Sequence, residues 1–180
     1  MLKIIVTGPE STGKTTLCKT LAKHFNTSFI PEFARKLLDQ LDRDYTQSHL
    51  LEIAEGQLLS EHNGQILDTD LITIKIWSNY KYGNCDKWIL KQIEKQKIEK
   101  RFYLLCKADI PWQADPQREN PNNREELFGL YKEELTNLGY DYFIIEGENR
   151  TENSISKISP LTIPYLKSIY IFVKSYKGVP

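Results

Sequence analysis

The residues Gly8-Pro9-Glu10-Ser11-Thr12-Gly13-Lys14-Thr15 combine two glycines, a lysine and several hydroxyls at the spacing GxxxxGK[ST]. Placed between a strand and a helix, such a run wraps its backbone around an anion. The glycines allow close approach, successive N–H groups converge on phosphate oxygens, and the positive end of the following helix adds attraction. Gly8, Glu10, Ser11, Thr12 and Gly13 are then the positions that cradle ATP, and Lys14 reaches the β- and γ-phosphates as a catalytic cation. The Thr15 hydroxyl is placed to hold Mg²⁺, and Thr16 is a second phosphate contact. ATP as co-substrate and Mg²⁺ as its counter-ion are what this motif calls for.

Three further groups could share that chemistry. Ile66-Leu67-Asp68-Thr69-Asp70 puts two carboxylates at the carboxyl end of an apolar run, where open α/β sheets place their ligands. One of them would hold the magnesium shell, Asp68 being favoured, while the other orients substrate or water. Both also suit the capping of a helix that starts near Leu71. In Pro31-Glu32-Phe33-Ala34-Arg35, Glu32 is suited to take the proton of an attacking hydroxyl and Arg35 to hold a phosphate. The same two residues at i,i+3 would equally make a surface ion pair. Finally, Asp109, Trp112, Arg118 and Arg124 gather charge and an aromatic face in or beside the segment 108–123. Arginines there could neutralise a transferring phosphoryl group, and Trp112 could stack on a planar ring or simply pack.

These groups need a frame. Five short apolar runs, Leu2 to Thr7, Thr27 to Ile30, Gln65 to Thr69, Arg101 to Cys106 and Tyr140 to Glu146, alternate with segments of helical periodicity. The helical segments are Lys14 to Phe25, Pro31 to Leu41, Ser48 to His62, Asp86 to Lys100 and Arg124 to Leu138. The alternation predicts an α/β fold of the P-loop NTPase type: three layers, with a five-stranded parallel sheet between helices. Residues 108–124, rich in proline and asparagine and without apolar periodicity, read as a lid. Pro160 and Pro164 should interrupt any terminal helix, and Tyr165 to Lys174 is an apolar stretch of unassigned partner. A kinase-like domain over 1–153 and an extension over 154–180 follow as the expected division.

Composition narrows the function. Lysine plus arginine, 24 residues, balance aspartate plus glutamate, 24, so no excess charge points to nucleic acid or an anionic membrane. No stretch approaches the ~20 apolar residues of a membrane span. Three cysteines without a CxxC pair argue against a disulfide framework and for a reducing cytoplasm. His24, His49 and His62 lie too far apart for a metal site. Cys106-Lys107-Ala108-Asp109 approximates the guanine-reading NKxD but lacks its asparagine, which argues against a GTPase.

Taken together the chain resembles the ribosylnicotinamide kinase domain of bacterial NadR-type NAD-salvage proteins. The resemblance runs over about residues 1–150. It rests on the P-loop through Leu17, Pro31 to Arg35, Ile53-Ala54-Glu55-Gly56-Gln57, Asp68-Thr69-Asp70, Trp77-Ser78 with Tyr82-Gly83, and Asp109 to Trp112 with Arg118 and Arg124. It implies transfer of the ATP γ-phosphoryl to the 5′-hydroxyl of ribosylnicotinamide. Glu32 would be the base or metal helper, and Asp68, Asp70, Tyr82, Asp109 and Trp112 the nucleoside-side pocket. The chain departs from the family in keeping only Thr73 where paired threonines are usual, and its 180 residues contain no HxGH-type adenylylation motif. A small-molecule nucleoside is the implied partner; the sequence does not assign an oligomeric state. A kinase of another nucleoside or small metabolite and a non-catalytic ATP-binding regulatory module are the alternative readings.

Overall fold

The computed structural model describes residues 2–41 and 44–161. Five strands form one sheet: β1 Lys3–Thr7, β2 Phe29–Ile30, β3 Ile66–Asp68, β4 Arg101–Cys106 and β5 Tyr142–Ile145. Their order is β2-β3-β1-β4-β5, and every neighbouring pair is parallel. The P-loop NTPase sheet expected from the alternation is therefore present. In β1 the side chains alternate as the pleat requires. Ile4 and Val6 enter one core with Leu17, Cys18 and Leu21, while Ile5 enters the opposite core with Tyr131 and Leu135.

The helices are α1 Lys14–His24, α2 Phe33–Leu38, α3 Gln47–Ser60, α4 Leu71–Tyr82, α5 Lys87–Gln96 and α6 Arg124–Leu138. A single turn of 3-10 helix, Glu61–Asn63, follows α3. Helix α4 begins where the acidic pair suggested a cap. Its sequence, LITIKIW, alternates branched apolar residues as a strand would, but its ends settle the matter. Asp70 accepts a hydrogen bond from the Ile72 amide at 3.0 Å, and Gly83 closes the helix at φ +74°. Burial on several sides explains the missing amphipathic stripe: Leu71, Ile72, Ile74 and Ile76 are all buried, divided between two cores. His49 caps the start of α3, accepting from the Thr46 amide at 2.9 Å.

The end of the described chain differs from expectation. A helix of residues 150–161, α7, crosses the 153/154 boundary and contains Pro160. Proline there forfeits one backbone bond, but Ile158 is buried in the first core and Ile155 packs against it. Packing therefore outweighs the loss. The stretch Tyr165 to Lys174 lies outside the described residues. Among the described residues, no helix is long and apolar enough to cross a membrane.

Candidate active site

The phosphate loop leaves β1 at Thr7 and enters α1 at Lys14. Gly8 sits at φ +128°, and a Cβ there would lie 2.5 Å from the Cys106 carbonyl oxygen, so only glycine fits between β1 and β4. Gly13 caps α1 at φ +77°, and Ser11 holds φ +54°, a left-handed turn inside the loop. The Thr12 hydroxyl ties the loop to itself by donating to the Pro9 carbonyl at 2.9 Å. Lys14 Nζ donates to the Gly8 and Pro9 carbonyls at 3.0 and 2.7 Å, which keeps the ammonium over the loop. Gly8, Glu10, Ser11, Thr12, Gly13, Lys14, Thr15 and Thr16 all line a cleft of about 450 Å³.

The neighbouring strand brings the acid. Val6 pairs with Asp68 across β1 and β3, so the end of one strand faces the end of the other. The Thr15 hydroxyl donates to Asp68 Oδ2 at 2.5 Å. Asp68 Oδ1 is buried and has no hydrogen-bond partner among the described residues. A buried carboxylate oxygen left this way is costly, and a hard cation is the partner that would satisfy it. The residues therefore fit Mg²⁺, with Asp68 and Thr15 on the ion's protein side. No cluster of three or more His, Cys, Asp or Glu suited to a metal occurs among the described residues, so phosphate oxygens and water would complete the shell. Burial pushes the Asp68 carboxyl up from its ordinary pKa, with Lys14 and the Thr15 hydroxyl opposing.

Glu32 and Arg35 also line the cleft. The Glu32 side chain makes no capping bond to α2; the buried Gln57 does that work instead, its Oε1 accepting from the Phe33 amide at 2.9 Å. Burial raises the Glu32 pKa to about 7 against the pull of Lys14, while Asp68 raises it further. A carboxyl poised near neutrality beside a phosphate loop has the properties of a general base. Gln57 Nε2 also donates to the Thr69 carbonyl at 3.4 Å, linking the Glu32 turn to the Asp68 turn. Arg35 pairs with Asp115 of the 108–123 segment at 3.0 Å instead of with Glu32.

The segment 108–123 is fastened to the phosphate loop. Glu10, read from its motif position as an ATP contact, turns its carboxylate to the Glu119 and Asn120 amides, both at 3.0 Å. The Ser11 hydroxyl accepts from the Gln113 amide at 2.9 Å and from Arg118 at 3.5 Å. Arg118 thus lies in the cleft. Arg124 stands behind it, donating to the Ser11 and Ile110 carbonyls at 3.3 and 3.0 Å.

A family model described as an AAA domain matches residues 3–152. The chain belongs to that AAA-domain family. It is 23% identical over 159 residues to the trifunctional NAD biosynthesis/regulator protein NadR of Escherichia coli (strain K12). That match takes in 81% of this chain and 38% of NadR, so the chain spans well under half of that relative. A crystal structure of NadR in complex with NR shares the fold at a TM-score of 0.64 and 19% identity, covering 87% of this chain and 50% of that one. Shikimate kinase from Acinetobacter baumannii in complex with shikimate does so at 0.57 and 16%, covering 92% and 94%. The architecture of this AAA-domain protein is thus that of P-loop kinases.

Four residues expected in the substrate pocket stand elsewhere in this AAA-domain chain. Asp70 is fully buried: its Oδ2 accepts from Tyr103 at 2.7 Å and from Arg101 at 3.2 Å, so its charge is spent inside the fold. Tyr82 donates to the Tyr45 carbonyl at 3.2 Å and packs with the helical core. Asp109 pairs with Arg150 and accepts from the Gly147 amide at 2.7 Å. Trp112 lies under the Arg124 guanidinium, 5.6 Å from ring centroid to cation, and does not line the cleft. In each case a nearby protein partner takes the group that was assigned to substrate. Gln117, Tyr131, Glu148 and Arg150 line the cleft unforeseen, and Thr73 and Trp77, named above only within the resemblance, line it as well. Arg150 bridges the Thr12 and Lys107 carbonyls at 3.0 and 3.1 Å, a long-range contact with no sequence signal.

Proposed function

We propose that the chain is an ATP- and magnesium-dependent kinase that phosphorylates the 5′-hydroxyl of ribosylnicotinamide to give nicotinamide mononucleotide. The observation that carries the kinase reading is the juxtaposition, in one cleft, of the P-loop, the Glu32 carboxyl and the Arg35 and Arg118 guanidinium groups. The relation to NadR, one structure of which is a complex with NR, supports the choice of acceptor.

In this reading the P-loop amides and Lys14 hold the β- and γ-phosphates. Thr15 and Asp68 would hold magnesium, which would supply charge neutralisation at the phosphates. Glu32 takes the proton of the 5′-hydroxyl as its oxygen bonds to the γ-phosphorus and the bond to the β-phosphate oxygen breaks. Arg35 and Arg118, both in the cleft, neutralise the transferring group. Ion pairing of Arg35 with Asp115 keeps the lid over the reaction and excludes water.

The test incubates the protein with Mg-ATP and a panel of nucleosides, following ADP release and product mass. Formation of nicotinamide mononucleotide, lost by roughly 100-fold or more in Lys14→Ala, is the expected result. Phosphorylation of a different acceptor would keep the kinase and discard the substrate; ATP binding without any product would discard both.

A further inference from the structure

The cleft at the P-loop continues into a second chamber of about 400 Å³, and the two share Glu10, Leu38, Trp77 and Gln117 on their walls. Its character differs from the phosphate side. Trp77 and Tyr80, at i,i+3 on α4, and Tyr45, just before α3, give it three aromatic side chains. Glu10 and Glu119 supply acid, and Lys81 supplies one cation that is already engaged: its Nζ lies 2.8 Å from Glu119 and 3.7 Å from the Tyr45 ring centroid. Aromatic walls with surplus carboxylate favour a flat ring, and a cationic one above a neutral one.

We propose that this chamber, through Trp77, Tyr80 and Tyr45, holds the ring of the acceptor nucleoside, while its ribose extends toward Glu32 and the P-loop. The proposal rests on the kinase reading above and names the residues that select the acceptor. Four observations join the chamber to the phosphate site. Trp77 lines both spaces, so a ligand in one lies against the other. Tyr45 donates to Glu119 at 2.9 Å, tying two residues of the chamber wall to each other. The Glu119 backbone donates to Glu10 at 3.0 Å, so the residue that closes the ring chamber is fastened to the phosphate loop. Tyr80 accepts from Asn123 at 2.7 Å, at the foot of the lid. The chamber is thus complete only with the lid docked, which ties acceptor recognition to the phosphate loop.

The test has two readings. In steady-state assays, Trp77→Ala and Tyr80→Ala are expected to raise the acceptor KM about tenfold or more while the ATP KM stays within about twofold. Separately, the double variant Trp88→Phe, Trp112→Phe leaves Trp77 as the sole tryptophan, and ribosylnicotinamide should quench its fluorescence without ATP present. The quenching needs no change at Trp77, so it remains decisive if Trp77→Ala does not fold. Acceptor KM values unchanged in both alanine variants, or unquenched Trp77 in a protein that phosphorylates ribosylnicotinamide, would overturn the chamber and leave the kinase reading intact. If the acceptor is a different ring-bearing nucleoside, a raised KM for that nucleoside upholds the chamber while the substrate assignment fails.

Discussion

Replacing Glu32 by glutamine should remove the base while keeping the shape of the cleft. The raised pKa of about 7 reflects burial first, opposed by Lys14 and Arg35 and reinforced by Asp68 and Glu10. At pH 7 about half of the carboxyl is ionised, and at pH 6 about one-tenth. If the ionised form accepts the hydroxyl proton, kcat/KM for the wild type rises about tenfold per pH unit below 7 and levels above it. Glu32→Gln should lower kcat by about 10²- to 10⁴-fold and abolish that limb. Stability moves the other way. Because the folded pKa lies above the ordinary value of 4.5, the folded state keeps a proton that the unfolded chain has released between pH 4.5 and 7. Stability therefore falls as pH rises through that window, and the cost is complete above 7. The glutamine variant escapes it, so its Tm should exceed the wild-type value at pH 8, with the gap closing below pH 4.5. The assay is ADP release at saturating ATP from pH 5.5 to 9, with thermal melts in the same buffers. A variant within about threefold of wild-type kcat, or one with the acidic limb intact, would refute Glu32 as the base and transfer the limb to Asp68 or Glu10, which burial also raises.

Two substitutions test the frame. Gly8→Ala forces a Cβ against the Cys106 carbonyl at φ +128°; it should cost at least ~1–3 kcal/mol and abolish ATP binding, read by denaturant unfolding and by calorimetry. Arg101→Met would remove the cation that Glu61 and Asp70, both fully buried, share, and should cost ~3–5 kcal/mol in urea unfolding; a neutral outcome would mean that the network carries no net stabilisation.

Strands β1, β3 and β4 could be read because their short apolar runs are buried on both faces, leaving near-continuous hydrophobic stretches such as Ile4-Ile5-Val6 and Tyr103-Leu104-Leu105. The phosphate loop could be read because its demands are local: a glycine where a Cβ would strike the next strand, and a lysine and threonine at the first turn of a helix. Helix α4 was legible only at its cap, since Leu71 to Trp77 alternate like a strand and the helix divides its burial between two cores.

Asp68 and Asp70 show where sequence stops. Two residues apart on an extended strand, they would point to one face. Instead Thr69 takes φ +69°, an unusual choice for a β-branched residue, and the chain turns between them. Asp68 then meets Thr15, and Asp70 turns inward to cap α4 and meet Arg101 and Tyr103. By itself the sequence determined the parallel sheet and the P-loop, because these follow from spacing along the chain. Which carboxylate serves the cleft, which arginines reach it, and that Trp77, Tyr80 and Tyr45 share one chamber were decided by tertiary structure. Those choices depend on which distant partner each side chain meets, and no local pattern encodes that meeting.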